Sequence, residues 1–512
     1  ITNFFAGTEI NSTDRSKNYY QGWGMQYSMG EIPYYVYEFF KKGIEDGNNY
    51  YSLSQTRSRS AAFFANATYS YKGRYTVNGT ARYEGTNRMG KSRSARWLPT
   101  WNVSGAWNAH EEKFFSNLTS VLSHFTLKAS YSLTADRGPA DVTNSQAIIT
   151  SYSPYRPFTS IQESGLYIKE LENSELTYEK KHELNIGADM GFLNNRINLA
   201  VDWYKRNNYD LIGIVNTQGA GGQILKYANI ASMKSHGIEF TLSTKNIKTK
   251  DFNWNTDFIF SNAKNEVTDL KQNANVMELI SGNGFAKQGY PVRGLFSIPF
   301  VGLDKDGIPV IINEKGEATS TDINFQERQN TGFLKYEGPT DPTITGSLGN
   351  MFSYKGFRLN LFITYSFGNV IRLNPVFKAY YSDLTAMTRE FKNRWTLPGD
   401  ETKTNVPAIL SKRMYDSNED LKYAYNAYNY STERIAKGDF IRLKEISLAY
   451  DFPKAWINPL KLTDLSLKVQ ATNLFLIYAD DKLNGQDPEF FNAGGVASPV
   501  PRQFTITLRL GL

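Results

Sequence analysis

Along most of the chain apolar and polar residues alternate one for one, and helical 3.6-residue spacing is hard to find in any long window. Phe63, Ala65, Ala67, Tyr69 and Tyr71 alternate with Asn66, Thr68 and Ser70, and after Lys72-Gly73 the positions Tyr75, Val77, Gly79, Ala81 and Tyr83 alternate with Thr76, Asn78, Thr80 and Arg82. That spacing predicts a hairpin. The same period marks Phe125 to Leu133, Leu184 to Met190, Ile197 to Trp203, Ile238 to Leu242, Trp254 to Phe260, Leu348 to Tyr354, Phe357 to Tyr365, Ile446 to Tyr450, Leu465 to Val469 and Phe504 to Leu512. With a first strand near Asn3 to Glu9, it predicts an all-β chain of about fourteen antiparallel strands, each of roughly ten residues. At about 3.3 Å per residue and a tilt near 45°, ten residues climb roughly 23 Å, the height of the apolar band of a transmembrane β-barrel.

Alternation alone does not say whether the apolar face meets lipid or a second sheet, but the connections do. Short links fall near Lys72-Gly73, 192 to 196, 245 to 251, Lys355-Gly356 and 453 to 463, with a somewhat longer one at 108 to 124. Between them come long segments near 11 to 60, 135 to 181, 206 to 234, 262 to 342, 368 to 438 and 476 to 501, and a shorter one at 85 to 96. Short turns on one rim and long loops on the other are the mark of outer-membrane barrels, and a sandwich has no physical reason to sort its loops this way. Charge agrees. A Lys or Arg facing lipid at mid-membrane costs about 2 to 4 kcal/mol, and Arg82, Lys128, Asp189, Asp202, Glu239, Asp257, Arg358, Lys468 and Arg509 all take the other parity, which faces a watery lumen. Aromatic residues such as Tyr71, Tyr75, Trp97, Trp101, Trp107, Trp203, Trp254, Tyr354 and Phe357 gather near strand ends, where an interfacial girdle sits.

The composition narrows the remaining classes. Among 512 residues there is no cysteine, which excludes a disulfide scaffold, a thiolate metal site and a cysteine nucleophile. The 33 Tyr, 32 Phe and 8 Trp argue against disorder. A net charge of +7 is mild for this length and does not point to nucleic acid. No apolar run approaches the roughly 18 to 20 residues of a membrane-spanning helix, and the mean hydropathy of -0.47 reflects lumen positions and loops outnumbering lipid-facing ones.

Several motifs have plainer readings than their chemistry. Gly85-Thr86-Asn87-Arg88-Met89-Gly90-Lys91-Ser92 fits a phosphate-loop pattern, but that chemistry needs a strand, a loop and a helix in sequence, whereas here a hairpin strand precedes it and Arg93 to Pro99 leads into another alternating strand. His110, His124, His182 and His236 are scattered and form no metal-binding spacing. Glu111-Glu112 and Asp480-Asp481 read as solvated turns, and Asp304-Lys305-Asp306-Gly307 as an Asp-Gly turn, because Lys315 stands where a calcium loop would need its distal glutamate. Asn66-Ala67-Thr68 and Asn78-Gly79-Thr80 supply polar lumen positions, and Tyr423, Tyr425, Tyr428 and Tyr430 either stack on sugar rings or pack their own loop. No catalytic, cofactor-binding or metal-binding residue is assigned, the substrate-binding residues are unknown, and no enzyme activity is expected.

In the C-terminal third, Gly438-Asp439-Phe440-Ile441-Arg442-Leu443-Lys444-Glu445-Ile446-Ser447-Leu448-Ala449-Tyr450, then Ala471-Thr472-Asn473-Leu474-Phe475, then Asp487-Pro488-Glu489, resemble the closing strands of the SusC/RagA family of TonB-dependent outer-membrane transporters. Asn173 to Glu179 leading into Leu184-Asn185-Ile186-Gly187, Asn194-Asn195-Arg196-Ile197, Ser235-His236-Gly237-Ile238-Glu239-Phe240 and Arg82 to Gly90 look like the same barrel. The resemblance covers essentially residues 1–512. It implies the C-terminal portion of a 22-stranded plugged barrel, with signal peptide, N-terminal extension and plug outside this chain; the terminal Leu512 departs from the usual aromatic end. It further implies active import of a bulky nutrient across the outer membrane of a Gram-negative, Bacteroidetes-like cell, an oligosaccharide first and a peptide second. The expected partners are a SusD-like lipoprotein lid, TonB acting through the plug, outer-membrane lipid, and a second copy in a dimer of transporter–lid pairs; neither a cofactor nor nucleic acid is expected. The competing reading is a secreted or surface all-β glycan-binding adhesin.

Overall fold

A computed structural model describes the chain except residues 23–24, 27, 29, 31, 34–35, 49–50, 139–145, 153–162, 220–224, 376, 380, 382–386, 492–500 and 512. Leu512 and parts of the segments 11 to 60, 135 to 181, 206 to 234, 368 to 438 and 476 to 501 thus lie outside the described residues. Fourteen strands form one antiparallel sheet: β1 (Thr2–Tyr20), β2 (Tyr51–Tyr71), β3 (Tyr75–Thr86), β4 (Trp97–Asn108), β5 (Leu122–Asp136), β6 (Glu179–Phe192) and β7 (Ile197–Asn216). They continue as β8 (Leu225–Lys248), β9 (Phe252–Leu270), β10 (Ile344–Tyr354), β11 (Phe357–Phe367), β12 (Phe440–Asp451), β13 (Asp464–Ala479) and β14 (Gln503–Gly511). Each strand pairs with its neighbours in the chain, and β1 and β14 are the two edges of the sheet, not joined to each other.

The expected number of strands is met, but their lengths are not. They run from 9 to 24 residues, and the first one extends to Tyr20 rather than ending near Glu9. β1 and β2 stay paired through Asp14↔Arg57 and Lys17↔Ser54 to Tyr20↔Tyr51, and β7 and β8 through Asn216↔Leu225, in stretches assigned above to loops. Beyond the apolar band a strand pair stands in water and needs no apolar face, so its backbone ladder persists where the alternation fades. The short links fall where expected and have a backbone reason. Lys72 and Gly73 (φ 52° and 73°), and Lys355 and Gly356 (φ 44° and 89°), occupy the left-handed region that two-residue hairpin turns require.

The register places side chains as the pattern predicts. Phe125, Met190, Leu199, Leu242, Phe258, Leu348 and Ile363 sit side by side across β5 to β11 on one face. No second sheet covers that face among the described residues: Phe63 and Val103 are each 54% exposed and Ile506 is 74% exposed. An uncovered apolar surface of this extent needs lipid or a partner, and a soluble sandwich would have hidden it. Among the described residues no helix is long and apolar enough to cross a membrane.

The long connections between β9 and β10 and between β11 and β12 carry the packed cores. Val276, Leu279, Ile280, Phe296, Ile298, Ile311 and Leu334 form one; Ile308, Phe377, Leu410, Leu421, Tyr425 and Tyr428 form a second; Ile371, Leu373, Ala436, Leu483 and Phe491 form a third, which draws in the segment between β13 and β14. The helix Leu421–Asn429 turns Leu421, Ala424, Tyr425 and Tyr428 inward, the i, i+3, i+4, i+7 stripe of a core-facing helix.

Candidate functional site

The polar face of the wall is cross-linked by ion pairs and hydrogen bonds. Lys128 pairs with Asp189 at 2.8 Å, Arg358 with Asp451 at 2.8 Å, and Arg206 with Glu183 at 3.0 Å. Arg82 reaches Glu9 at 2.9 Å and Glu84 at 2.6 Å, and Glu84 also holds Arg137. The amide of Asn66 donates to Thr80 Oγ1 at 2.7 Å and that of Asn78 to Thr68 Oγ1 at 2.6 Å, so the two sequon asparagines do serve as polar members of this face. Such a surface offers donors and acceptors of both signs at short intervals to anything hydrated that passes along it.

The phosphate-loop pattern is filled by the chain itself. Gly90 N–H donates to Leu176 O at 2.7 Å and Lys91 N–H to Ser174 O at 3.0 Å, while Lys91 Nζ pairs with Glu172 at 2.6 Å. A Cβ on Gly90 would lie 1.9 Å from Ser174 O, so glycine is required by the close approach of the segment 172–176. The segment 85 to 96 is a loop before the next strand as expected, with one correction: its last four residues, Arg93–Arg96, form a short helix, capped by Ser92 Oγ accepting from Ala95 N–H at 3.2 Å. Two segments noted for their resemblance, Arg82 to Gly90 and Asn173 to Glu179, are therefore one structural unit.

The other motifs are placed as follows. Asp304 Oδ1 accepts the N–H groups of Asp306 and Ile308 at 2.9 Å each, and Gly307 has φ 76°, which makes an aspartate turn between the short strands Phe300–Leu303 and Pro309–Ile312. Tyr425 and Tyr428 pack their own loop, Tyr425 donating to Ala408 O, and burial pushes both phenols well above their ordinary pKa; Tyr423 remains 39% exposed. His110 and His124 are drawn together at the short-turn rim, with ring centroids 6.2 Å apart, and His182 stacks between Tyr131 and Tyr209. Glu112 accepts from Tyr75 Oη and pairs with Arg74 at 3.2 Å, and Asp480 accepts Lys437 N–H at 2.8 Å. Among the described residues no three His, Asp or Glu side chains gather as a metal site.

Three buried arginines were not singled out by the sequence reading, because only long-range packing brings them together. Arg372 donates to Ser431 O at 3.1 Å and Ser297 Oγ at 3.0 Å, and burial pushes its guanidinium down to about 9. Arg434 pairs with Glu390 at 2.6 Å, and Arg442 with Asp487 at 2.5 Å and Glu489 at 3.0 Å. Arg442 borders an open cleft of about 690 Å³ with Asn473, Asp481, Asn484 and Arg502; Arg434 borders an adjoining one of about 320 Å³ with Thr388, Glu390 and Lys482, and Arg389 lines both. The Nε atoms of Arg434 and Arg442, Thr388 Oγ1 and Asn473 Oδ1 are buried without a hydrogen-bond partner among the described residues. Unpaired buried polar atoms are costly, so these four mark the least satisfied part of the packing beside the clefts.

A family profile described as "TonB dependent receptor-like, beta-barrel" matches residues 2–474. Among curated proteins the chain is 26% identical to TonB-dependent receptor P39 of Formosa agariphila over 96% of this chain and 50% of that one, and 25% identical to TonB-dependent receptor SusC of Bacteroides thetaiotaomicron over 93% and 47%. The chain thus spans about half the length of the curated relatives it matches. Among solved structures, the RagAB peptide importer in its open-open state aligns with 100% of this chain and 53% of its own at a TM-score of 0.75 and 21% identity, which shows a shared fold. With the profile spanning most of its strands, the chain belongs to the TonB-dependent receptor β-barrel family, in its SusC/RagA-like branch, and its place is the bacterial outer membrane.

Proposed function

We propose that this chain is the C-terminal wall portion of a 22-stranded plugged transporter that imports a bulky nutrient, an oligosaccharide, across the outer membrane. The observation that carries the reading is the pairing of a lipid-matched apolar face with an ion-paired hydrated face under a layer of folded loops. The unjoined edges β1 and β14 support continuation into further strands, because an open edge within a bilayer would leave backbone groups unsatisfied. A SusD-like lipoprotein would cap the loop layer, TonB would act through a plug, and transporter–lid pairs would associate as dimers. The clefts beside Arg442 and Arg434 offer hydroxyl-bearing ligands both donors and acceptors.

A peptide is the second reading, supported by the fold shared with the RagAB peptide importer. Uptake of fluorescent oligosaccharides and of mixed peptides by cells expressing the complete protein, compared with a deletion strain, separates the two. Uptake of neither, together with extraction into plain buffer without detergent, would leave the adhesin reading standing in place of transport.

A further inference from the structure

Toward the long-loop rim the outward, lipid-facing parity ends in a row of bases. Trp203 and Ile238, directly paired on β7 and β8, are both 39% exposed and close the apolar band there. One step further along the same face, Lys205 on β7 pairs in register with His236 on β8, and His236 with Lys264 on β9. All three are exposed, and none makes an ion pair or side-chain hydrogen bond among the described residues. The flanking position on β6 is Leu184, and the next step outward brings Asn207, Lys234 and Glu266, of which the last two neutralise each other at 3.0 Å.

This arrangement is unlike the ion pairs of the hydrated face. Neighbouring strands lie about 4.8 Å apart, so the three side chains share a patch about 10 Å wide. Lys205 and Lys264 stand on either side of His236, two strand spacings apart, and no carboxylate of the row itself balances their charges. From Ile197, beside the short turn, to Lys205 is about 26 Å along the strand, or about 19 Å of height at a 45° tilt, which brings the row to within about 4 to 6 Å of the outer edge of the apolar band. Lysine stems can lie along that band while their ammonium groups reach the headgroup layer, with Trp203 as the aromatic anchor beneath. The three strands lie in the interior of the sheet, so their outward face does not depend on what flanks β1 or β14.

We propose that Lys205, His236 and Lys264 form a binding site on the outside of the wall for the phosphate of an anionic lipid in the outer leaflet. The lipid phosphate supplies the missing counter-charge, its acyl chains lie along Ile238 and Trp203, and the barrel is held at a fixed depth.

The test uses the complete protein reconstituted in phosphatidylcholine vesicles containing phosphorylated lipid A or its dephosphorylated form, with retained lipid counted by native mass spectrometry after detergent extraction. Each lysine near the surface should contribute about fivefold to retention, and K205Q/K264Q together about thirtyfold. Lys305→Gln removes one charge from an exposed turn in the loop layer, away from the row, and should leave retention unchanged, which controls for the loss of one positive charge. Equal retention of the two lipid A forms, or no loss in K205Q/K264Q, overturns the proposal. Displacement of the lipid by millimolar inorganic phosphate would assign the row to a soluble anion, and a loss of dimer without a loss of lipid would assign it to a protein contact; either result sinks the lipid site.

Discussion

Val201 stands at the middle of the lipid-facing stretch of β7, four residues from Ile197 at the short turn and four from Lys205 near the opposite edge of the apolar band, with Ala188 and Phe240 beside it in register. Val201→Arg places a guanidinium near the bilayer midplane and is expected to cost about 2 to 4 kcal/mol, or roughly 30- to 900-fold in the folding equilibrium. The neighbour Ala200 points the other way, between Asp189 on β6 and Thr241 on β8. Ala200→Arg puts the same charge onto a hydrated face that already carries Asp189 and Asp202, so its cost should stay below about 1 kcal/mol. Folding of the complete protein into phosphatidylcholine vesicles across a urea series, read as the shift from heat-modifiable to unfolded gel mobility, measures both. One residue of separation carries the whole contrast, because a single step along a strand exchanges the two faces. Equal costs for the two variants, or a larger one for Ala200→Arg, would refute the assignment of faces and with it the barrel orientation.

Two further outcomes follow from the loops. Gly90→Ala drives a methyl group against Ser174 O, and should destabilise the 85–92 loop by about 1 to 3 kcal/mol, seen as faster proteolysis within 172–178 without any gain or loss of nucleotide binding. Asp400 is held down to about 2 by the N–H of Leu397, with Lys403 and Thr396 adding to it. Its contribution is therefore fully present above the ordinary aspartate range and is lost as pH falls through about 2, so hydrogen exchange in 396–403 should rise between about pH 4 and pH 2 and lose that dependence in Asp400→Asn.

The wall was legible because lipid and water impose opposite demands on alternate residues; Phe125 to Leu133 satisfies both at every position, and Ile197 to Trp203 at every position but Ala200. What escaped was everything lipid does not touch. The upper reaches of β1 and β2, with Arg15, Ser16 and Lys17 opposite Thr56, Gln55 and Ser54, carry no apolar face to announce a strand. The loop layer was hidden for a different reason. Arg372 meets Ser297, and Asn429 exchanges hydrogen bonds with the backbone of Phe377 in both directions, across separations that no local pattern encodes. Tyr425 and Tyr428 show the same limit: both loop packing and sugar stacking suited the residues, and only the helix Leu421–Asn429 with its neighbour Phe377 decided for packing.

The strict order of the sheet, in which every strand lies beside its predecessor in the chain, also bears on how the wall is built. The hairpins on the short-turn rim need only a few residues to close, so their loop-closure entropy is small and the ribbon can grow pair by pair, like a zip fastener. The long excursions 271–343 and 368–439 begin and end on strands that are already neighbours, so they can condense into their cores after the fastener has passed. Construction of the wall and packing of the loop layer are thereby decoupled: the loop layer can change in sequence and size while the order of wall construction stays the same.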